Sequence, residues 1–484
     1  MWNKKILGLT GIEFAVLIIY AVGVGNTVLH HEMWRDEAQK WLIARDLDIT
    51  GIVMQTRYEG HPALWYFVLY PFAHLVFPPE TVNIVHWAVM CMAVYILLRY
   101  CTLPVVLKVG FVLSFPLAYE HAVVARNYGI AIFFLFAAVA LYAQRDKYPV
   151  AAIACGVLSI ASHIYVAPIC GMLMMSILID RWRYISAKQW AAILIIGAIG
   201  AFFIMQIFLR PNDTSIYIGA VTKDKTDILP FFFKKLDDTV CRVFIFGAFV
   251  PRWWWLHIAL AVIIMFGYRM KIFYIITFIA CMICFFAANL LIYELSDYHS
   301  YFLLIFLFML MWASYDTAMH KGVMYKIATA LLATVFFISD YYGLRWHESD
   351  LRQDMCYSAG KEMAEYINTH DELYNATLVG FASFTSSALI PYLKNNKKIY
   401  YAEKAALSSY STWSNHMYYY SPNNYSEFKQ LIDKNLGFNK VYFIVDEFHY
   451  QAVPPLRKDF TIVYKNQCDN YHRLDEKYYI LKAK

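Results

Sequence analysis

Residues 31–37 read HEMWRDE, and four of these seven residues carry a formal charge. They follow an apolar run at residues 6–25, which is long enough to cross a bilayer because a membrane helix needs about 20 apolar residues. A second polar stretch, RYEGHP at residues 57–62, comes about twenty residues later. Two dense groups of polar side chains therefore lie beside the first predicted span, and the other spans decide which side of the membrane they face.

The composition is typical of a polytopic membrane protein. Of the 484 residues, 60% are hydrophobic and 16% are charged, whereas a soluble domain is roughly half apolar and a quarter charged. The mean hydropathy is +0.43. The net charge of +6 does not indicate a nucleic-acid partner, because lysines and arginines in membrane proteins sort by topology. We expect contact with membrane lipids and no nucleic acid.

About eleven apolar runs are candidate spans, at residues 6–25, 84–100, 103–120, 126–143, 149–165, 167–180, 190–209, 253–268, 271–292, 300–318 and 323–340. A further apolar run at 61–79 contains Pro62, Pro71 and two histidines. If this run does not cross, the loops rich in lysine and arginine all fall on one side, which the positive-inside rule makes cytoplasmic. We therefore predict a juxtamembrane segment at 61–79 and an N-terminus inside. The long outer loops are then 26–83 and 210–252.

The composition becomes polar after the last apolar run, which predicts a membrane domain at 1–344 and a second domain at 345–484. Helix-like patterns alternate there with short runs typical of strands, so we expect a small extracytoplasmic α/β domain. The predicted helices are 358–369 and 426–437, and the predicted strands are 376–381, 397–402, 441–447 and 460–466. Cys356 and Cys468 fall in this domain, and the sequence leaves open whether they pair.

The predicted outer face carries the residues suited to chemistry. An acid at the membrane boundary, such as Asp36 or Glu37, is partly desolvated, which strengthens it as a base. The alternative is an ordinary acidic first turn of an amphipathic helix. Arg126 begins a span on this face, where positive charge is not expected. Its planar guanidinium suits a phosphate, although an arginine at a span end also serves as a snorkelling anchor.

Six more polar residues share this face. A lone histidine at a helix break more often has a structural role, and each of these residues is a weak signal by itself. Their common side of the membrane is the informative observation. We predict that they line a pocket: Glu59, His61, Glu120, His121, His163 and His299.

Four stretches, taken together, resemble the GT-C membrane glycosyltransferases, in particular the bacterial branch near the protein O-mannosyltransferases and the lipid A aminoarabinose transferases. The family often has an Arg-His pair in the last stretch, where this chain has Tyr298 and His299. The stretches are WRDEAQKWLIARDL (34–47), YEGHPALWYFVL (58–69), VVARNYGIAIFFLF (123–136) and SDYHSYFLLIF (296–306).

The resemblance implies a multi-pass enzyme of the bacterial cytoplasmic membrane with its C-terminal domain outside. It would transfer a sugar from a polyprenyl-phosphate donor to a hydroxyl of a lipid, glycan or protein. By the same resemblance Asp36 is the general base, Glu37 assists or positions the acceptor, and Arg126 holds the donor phosphate. No cofactor is certain. A divalent metal is left open, with Glu37, Glu59, His61 and His299 as ligand candidates, but no spacing specifies a site.

Three other functions remain alternatives. An oligosaccharide ligase or polymerase would move a preassembled chain with similar machinery. A lipid-linked sugar transporter or flippase would place charged residues near the centres of its spans, whereas here they gather at one face. A non-catalytic sensor would leave the polar groups of residues 30–130 unexplained.

Overall fold

The computed structural model of the protein divides into two compact units. It describes residues 6–75, 77–214, 228–241, 244, 253–291, 295–316, 322–352, 356–414, 424–467 and 476–484. The first unit comprises Met1–Asn26, Val85–Met205 and Tyr217–His347. The second unit comprises Thr27–Ile84, Gln206–Ile216 and Glu348–Lys484. The segment after the first predicted span thus belongs to the same compact unit as the C-terminal region.

The helices follow the apolar runs of the sequence, so the prediction of a helical polytopic membrane protein is confirmed. Up to residue 352 they are α1 (Gly11–His30), α2 (Arg35–Asp46), α3 (Ile49–Glu59), α4 (Leu64–His74), α5 (Thr81–Tyr100), α6 (Val105–Leu113), α7 (Asn127–Tyr142), α8 (Pro149–Ser162), α9 (Ala167–Arg181), α10 (Ala187–Phe208), α11 (Ile228–Cys241), α12 (Trp254–Gly267), α13 (Ile272–Leu291), α14 (Asp297–Ser314) and α15 (Val323–Arg352).

Six stretches are long and apolar enough to cross a membrane: Gly11–His30, Thr81–Tyr100, Ile164–Arg181, Ala187–Phe208, Ile272–Leu290 and Val323–Arg352. Four shorter apolar helices accompany them among the described residues: Asn127–Tyr142, Pro149–Ser162, Trp254–Gly267 and Tyr298–Ser314. The number of about eleven spans stays a prediction.

The predicted span 103–120 is not one continuous α-helix. Helix α6 ends at Leu113, and a single turn of π-helix follows at Pro116–Glu120. A proline has no amide hydrogen and its ring clashes with the preceding turn, so Pro116 interrupts the helical hydrogen-bond pattern. The wider turn brings the next residue, His121, to the start of the segment that leads into α7.

Helix α4 occupies the ambiguous run 61–79. It has 11 residues and is therefore about 16 Å long, which is roughly half the thickness of the hydrocarbon core. Its buried residues include Trp65, Tyr66 and Leu69, and it packs against α2. The length agrees with the prediction of a segment that does not cross.

The C-terminal region is an α/β domain, as predicted. Its sheet has the order β3-β2-β1-β4-β6-β5, in which β1, β2 and β4 are parallel. The strands are β1 (Leu378–Gly380), β2 (Ile399–Tyr401), β3 (Ala406–Ser408), β4 (Tyr442–Asp446), β5 (Phe460–Lys465) and β6 (Tyr478–Ala483). The helices are α16 (Gly360–Thr369), α17 (Asp371–Asn375), α18 (Ser383–Ser386), α19 (Tyr425–Leu436), α20 (Glu447–Ala452) and α21 (Pro454–Lys458).

The apolar core of this domain lies between the sheet and α19. Phe428 and Ile432 of that helix pack with Phe443 of β4 and Leu481 of β6. Gly437 ends the helix, with a φ of 79° and its amide donating to the carbonyl oxygen of Asp433. Cys356 forms a disulfide bond, and Cys468 lies outside the described residues.

Candidate functional site

The predicted site residues fall into two groups, one in each compact unit. Asp36 belongs to the second unit and is the second residue of α2. Its side chain is half-buried. Helix α2 is buried on all sides from Glu37 to Ala44, so packing fixes the position of its first turn. The positive end of the helix dipole at that turn favours negative charge.

Glu37 is fully buried and forms hydrogen bonds through one oxygen. Its Oε2 atom accepts the backbone amide of Trp34 at 3.1 Å, which satisfies a donor at the start of α2. The same oxygen lies 3.0 Å from Nε2 of His31. The Nδ1 atom of His31 lies 3.7 Å from Oδ2 of Asp350. Glu37 therefore belongs to a buried cluster of one imidazole and two carboxylates.

His31 is protonated at neutral pH. Burial by itself lowers its pKa, but Glu37 and Asp350 raise the pKa of His31 to about 10. A protonated imidazole donates from both ring nitrogens. Each nitrogen therefore faces one carboxylate.

Glu59 ends α3 and is almost fully buried. Its Oε1 atom accepts from the side-chain amides of Gln39 at 2.9 Å and Gln55 at 3.0 Å. Burial raises the pKa of Glu59, Lys40 opposes this, and the nearby charge of Asp36 adds to the rise. Glu59 is therefore an electrostatic neighbour of Asp36 and is held by two amides.

The same two glutamines hold a segment of the C-terminal region. Their side-chain amides donate to the carbonyl oxygen of Ser411 at 2.8 and 3.1 Å. The Ser411 amide donates to Oε1 of Gln39 at 3.0 Å. His61 lies half-buried in the turn that follows Gly60, whose φ of 70° ends α3.

Arg126 belongs to the first unit and precedes α7. Its guanidinium carbon lies 4.7 Å from the centroid of the Tyr128 ring and 4.6 Å from that of the Tyr298 ring. The residue is 4% exposed. Two cation–π contacts in a dry environment hold the guanidinium in one position. Tyr298 thus contacts Arg126, the candidate phosphate-binding residue. It occupies the position where the family often has an arginine.

Three of the four predicted pocket histidines gather around the same Tyr128 ring. The Tyr128 centroid lies 4.7 Å from that of His163, 5.4 Å from His121 and 5.8 Å from His299. Neither ring nitrogen of His121 has a hydrogen-bond partner among the described residues. Burial, together with electrostatic interactions with His86 and Arg126, lowers the pKa of His121 to about 3. This histidine is neutral and offers one donor and one acceptor. Glu120 lies half-buried beside it.

Several residues of these two groups were not predicted as site residues. Tyr128 and Tyr298 carry no charge and fit any apolar run. His31 lies in the quoted stretch, but its partner Asp350 follows the last predicted span and has no sequence signal. Gln39 and Gln55 occupy helical positions where a glutamine is ordinary, so the sequence does not single them out.

An apolar groove lies between α11, α12 and α13 of the first unit. It has a volume of about 390 Å³, and its lining includes Val240, Ile258, Val262, Phe278, Ile283 and Phe286. The described residues contain no group of three or more His, Cys, Asp or Glu side chains suited to a metal ion.

Two solved structures match the chain over nearly its whole length. They are ArnT from Cupriavidus metallidurans in the apo state, with a TM-score of 0.54, and the same protein bound to undecaprenyl phosphate, with a TM-score of 0.53. In each case the identity is 12%, and 97% of both chains is covered. The chain has the GT-C fold. The resemblance noted in the sequence is thereby confirmed at the level of the fold. No family model matches the sequence, and no curated protein matches it closely.

Proposed function

We propose that this protein is a membrane glycosyltransferase that moves a sugar from a polyprenyl-phosphate donor to an acceptor hydroxyl on the extracytoplasmic face. The observation that carries the proposal is the buried Arg126 guanidinium, held between two tyrosine rings beside the neutral His121. A fixed guanidinium binds a phosphate through two parallel hydrogen bonds. His121 supplies a further donor without adding charge.

Asp36 acts as the general base in this reaction. It accepts the proton of the acceptor hydroxyl while that oxygen forms a bond to the anomeric carbon of the sugar. The bond from the anomeric carbon to the phosphate oxygen breaks, and polyprenyl phosphate leaves. Arg126 stabilises the negative charge that develops on this phosphate. The phosphate link already activates the sugar, so the reaction needs no nucleotide.

Two further observations support the proposed donor and orientation. The groove between α11, α12 and α13 is almost wholly apolar, as a polyprenyl chain requires. The neighbouring ArnT structure was solved with undecaprenyl phosphate. The disulfide bond of Cys356 favours an oxidising compartment for the C-terminal domain, which agrees with an outer location. The positive-inside rule gives the same orientation.

The experiment that tests the function compares bacterial cells with and without the active gene. Mass analysis of lipid-linked sugars and of surface glycans should show a polyprenyl-phosphate sugar that accumulates when the gene is inactivated, together with an acceptor that loses the same sugar. A gene product that translocated this lipid without covalent transfer would contradict the proposal and favour a flippase.

A further inference from the structure

The residues His31, Glu37 and Asp350 all lie in the second unit and come from three different parts of the chain. His31 follows the end of α1, Glu37 lies in the first turn of α2, and Asp350 lies in the last turn of α15. The side chains of His31 and Glu37 are fully buried, and that of Asp350 is 2% exposed. Burying an ion pair costs desolvation energy. The attraction between its partners compensates for this cost only when their geometry is good.

An aromatic side chain and one more carboxylate complete the surroundings of His31. The ring of Tyr357 lies edge-on to His31 at 4.5 Å and to Trp34 at 6.4 Å. Glu32 is the other acid that interacts with His31, and burial raises the pKa of Glu32. Its Oε2 atom accepts the amide of Ser358 at 3.3 Å. The groups facing His31 are therefore Glu37, Asp350, Glu32 and Tyr357.

This arrangement separates two adjacent acids. Asp36 and Glu37 are consecutive residues at the start of one helix. Two negative charges close together oppose each other's ionisation. Glu37 has a positive partner in His31. A carboxylate whose charge is balanced in this way disturbs the ionisation of its neighbour much less than an unbalanced one.

We propose that His31, Glu37 and Asp350 form a positioning device that neutralises Glu37 and fixes the first turn of α2, so that Asp36 is the carboxylate available as the base. This inference rests on the proposed function of Asp36. It assigns Glu37 to the support of Asp36 and not to contact with the acceptor. His31 acts through Glu37 and is itself no catalytic residue.

The first test concerns the cluster alone and needs no substrate. The thermal unfolding midpoint of the purified protein is measured from pH 6 to pH 10 for the wild type and for His31→Gln. A proton bound more tightly in the folded state stabilises the fold fully below the unfolded pKa of about 6.5, and the effect is lost as the pH rises through the folded pKa. The advantage of the wild type should shrink steadily over this window.

His74→Gln is the matched control, because His74 is exposed at the end of α4. Its difference from the wild type should not change with pH. A constant difference between the wild type and His31→Gln would overturn the proposal, whatever reaction the protein catalyses.

The second test separates positioning from mere stability. The acidic limb of the pH–kcat/KM profile reports the base of the free enzyme. His31→Gln leaves the negative charge of Glu37 without its positive partner. This limb should then move up by about one pH unit, because a nearby negative charge disfavours ionisation of the base. Glu37→Gln should move it down. In the double variant His31→Gln/Glu37→Gln the limb should return close to the wild-type position.

A purely structural role would lower kcat in these variants without moving the limb, and that result would overturn the proposal. A double variant whose limb stays at the position of either single variant would also overturn it, because removing both charges of the pair should leave the ionisation of Asp36 nearly as it is in the wild type. If no variant and no wild-type preparation transferred a sugar, the proposed function would fail, and the unfolding test would still decide whether the charged cluster exists.

Discussion

The phosphate-binding role of Arg126 leads to a quantitative prediction. Arg126→Ala removes a buried guanidinium held between two rings at 4.6 and 4.7 Å. Hydrogen bonds to charged groups contribute about 1.5–3 kcal/mol each, and only part of two such bonds appears as net affinity. A loss of about 2–3 kcal/mol corresponds to a roughly 30- to 150-fold weaker Kd for a polyprenyl phosphate.

The assay is direct binding of undecaprenyl phosphate to the purified protein in nanodiscs. Arg126→Lys keeps the charge and loses the planar fork, so its affinity should lie between those of the wild type and Arg126→Ala. Tyr298→Phe is the matched control and should bind as the wild type does, because it retains the ring face that contacts the guanidinium. Tyr298→Leu removes this contact, which contributes about 1 kcal/mol. An Arg126→Ala protein that binds within twofold of the wild type would refute this reasoning.

Three further predictions concern stability. Gln39→Ala leaves the buried Ser411 amide without its acceptor, whereas Glu59 and the Ser411 carbonyl keep Gln55 as a donor. The unfolding midpoint should fall by a few degrees because a buried unsatisfied group costs about 1–3 kcal/mol, and an unchanged midpoint would contradict the described network. Cys356→Ser should destabilise the C-terminal domain by about 2–4 kcal/mol, and a dithiol reductant should have the same effect on the wild type. If neither the substitution nor the reductant lowered the stability, a stabilising disulfide would be ruled out. Gly380→Ala places a Cβ atom 2.6 Å from the Tyr401 ring and should lower the free energy of unfolding by about 1–3 kcal/mol through overpacking. Chemical denaturation measures this change, with Gly171→Ala as the control because no atom lies within 4 Å of a Cβ at Gly171. Equal effects of the two substitutions would count against the close packing at Gly380.

Much of the fold could be predicted from the sequence because the length of an apolar run and the asymmetry of loop charges are local signals. They gave the helical membrane class and the juxtamembrane interpretation of α4. The interruption near Pro116 was missed because hydropathy does not register a lost amide hydrogen. Strand β3 was missed because it has three residues and is largely exposed. Strand β6 was missed because charged residues flank it closely.

The candidate site was predictable in its charged residues and less so in their partners. Arg126 stood out because positive charge is not expected on the predicted outer face. The rings of Tyr128 and Tyr298 that hold it are ordinary residues of apolar runs, and only the fold brings Tyr298 to Arg126. The same holds for His31 and Asp350, whose contact joins elements at opposite ends of the membrane domain's sequence. The role predicted for Glu37 as a helper of the base stays a prediction, now with a buried partner.

The central claim is that Asp36 is the base of a sugar transfer from a polyprenyl phosphate. Its most direct test is transfer by purified Asp36→Asn with the donor and acceptor identified from cells, with the binding of undecaprenyl phosphate measured on the same preparation. An asparagine keeps the size of the side chain but does not accept a proton at neutral pH. We expect transfer to fall by at least about a hundredfold while the lipid binds as in the wild type. Transfer at the wild-type rate would contradict the account.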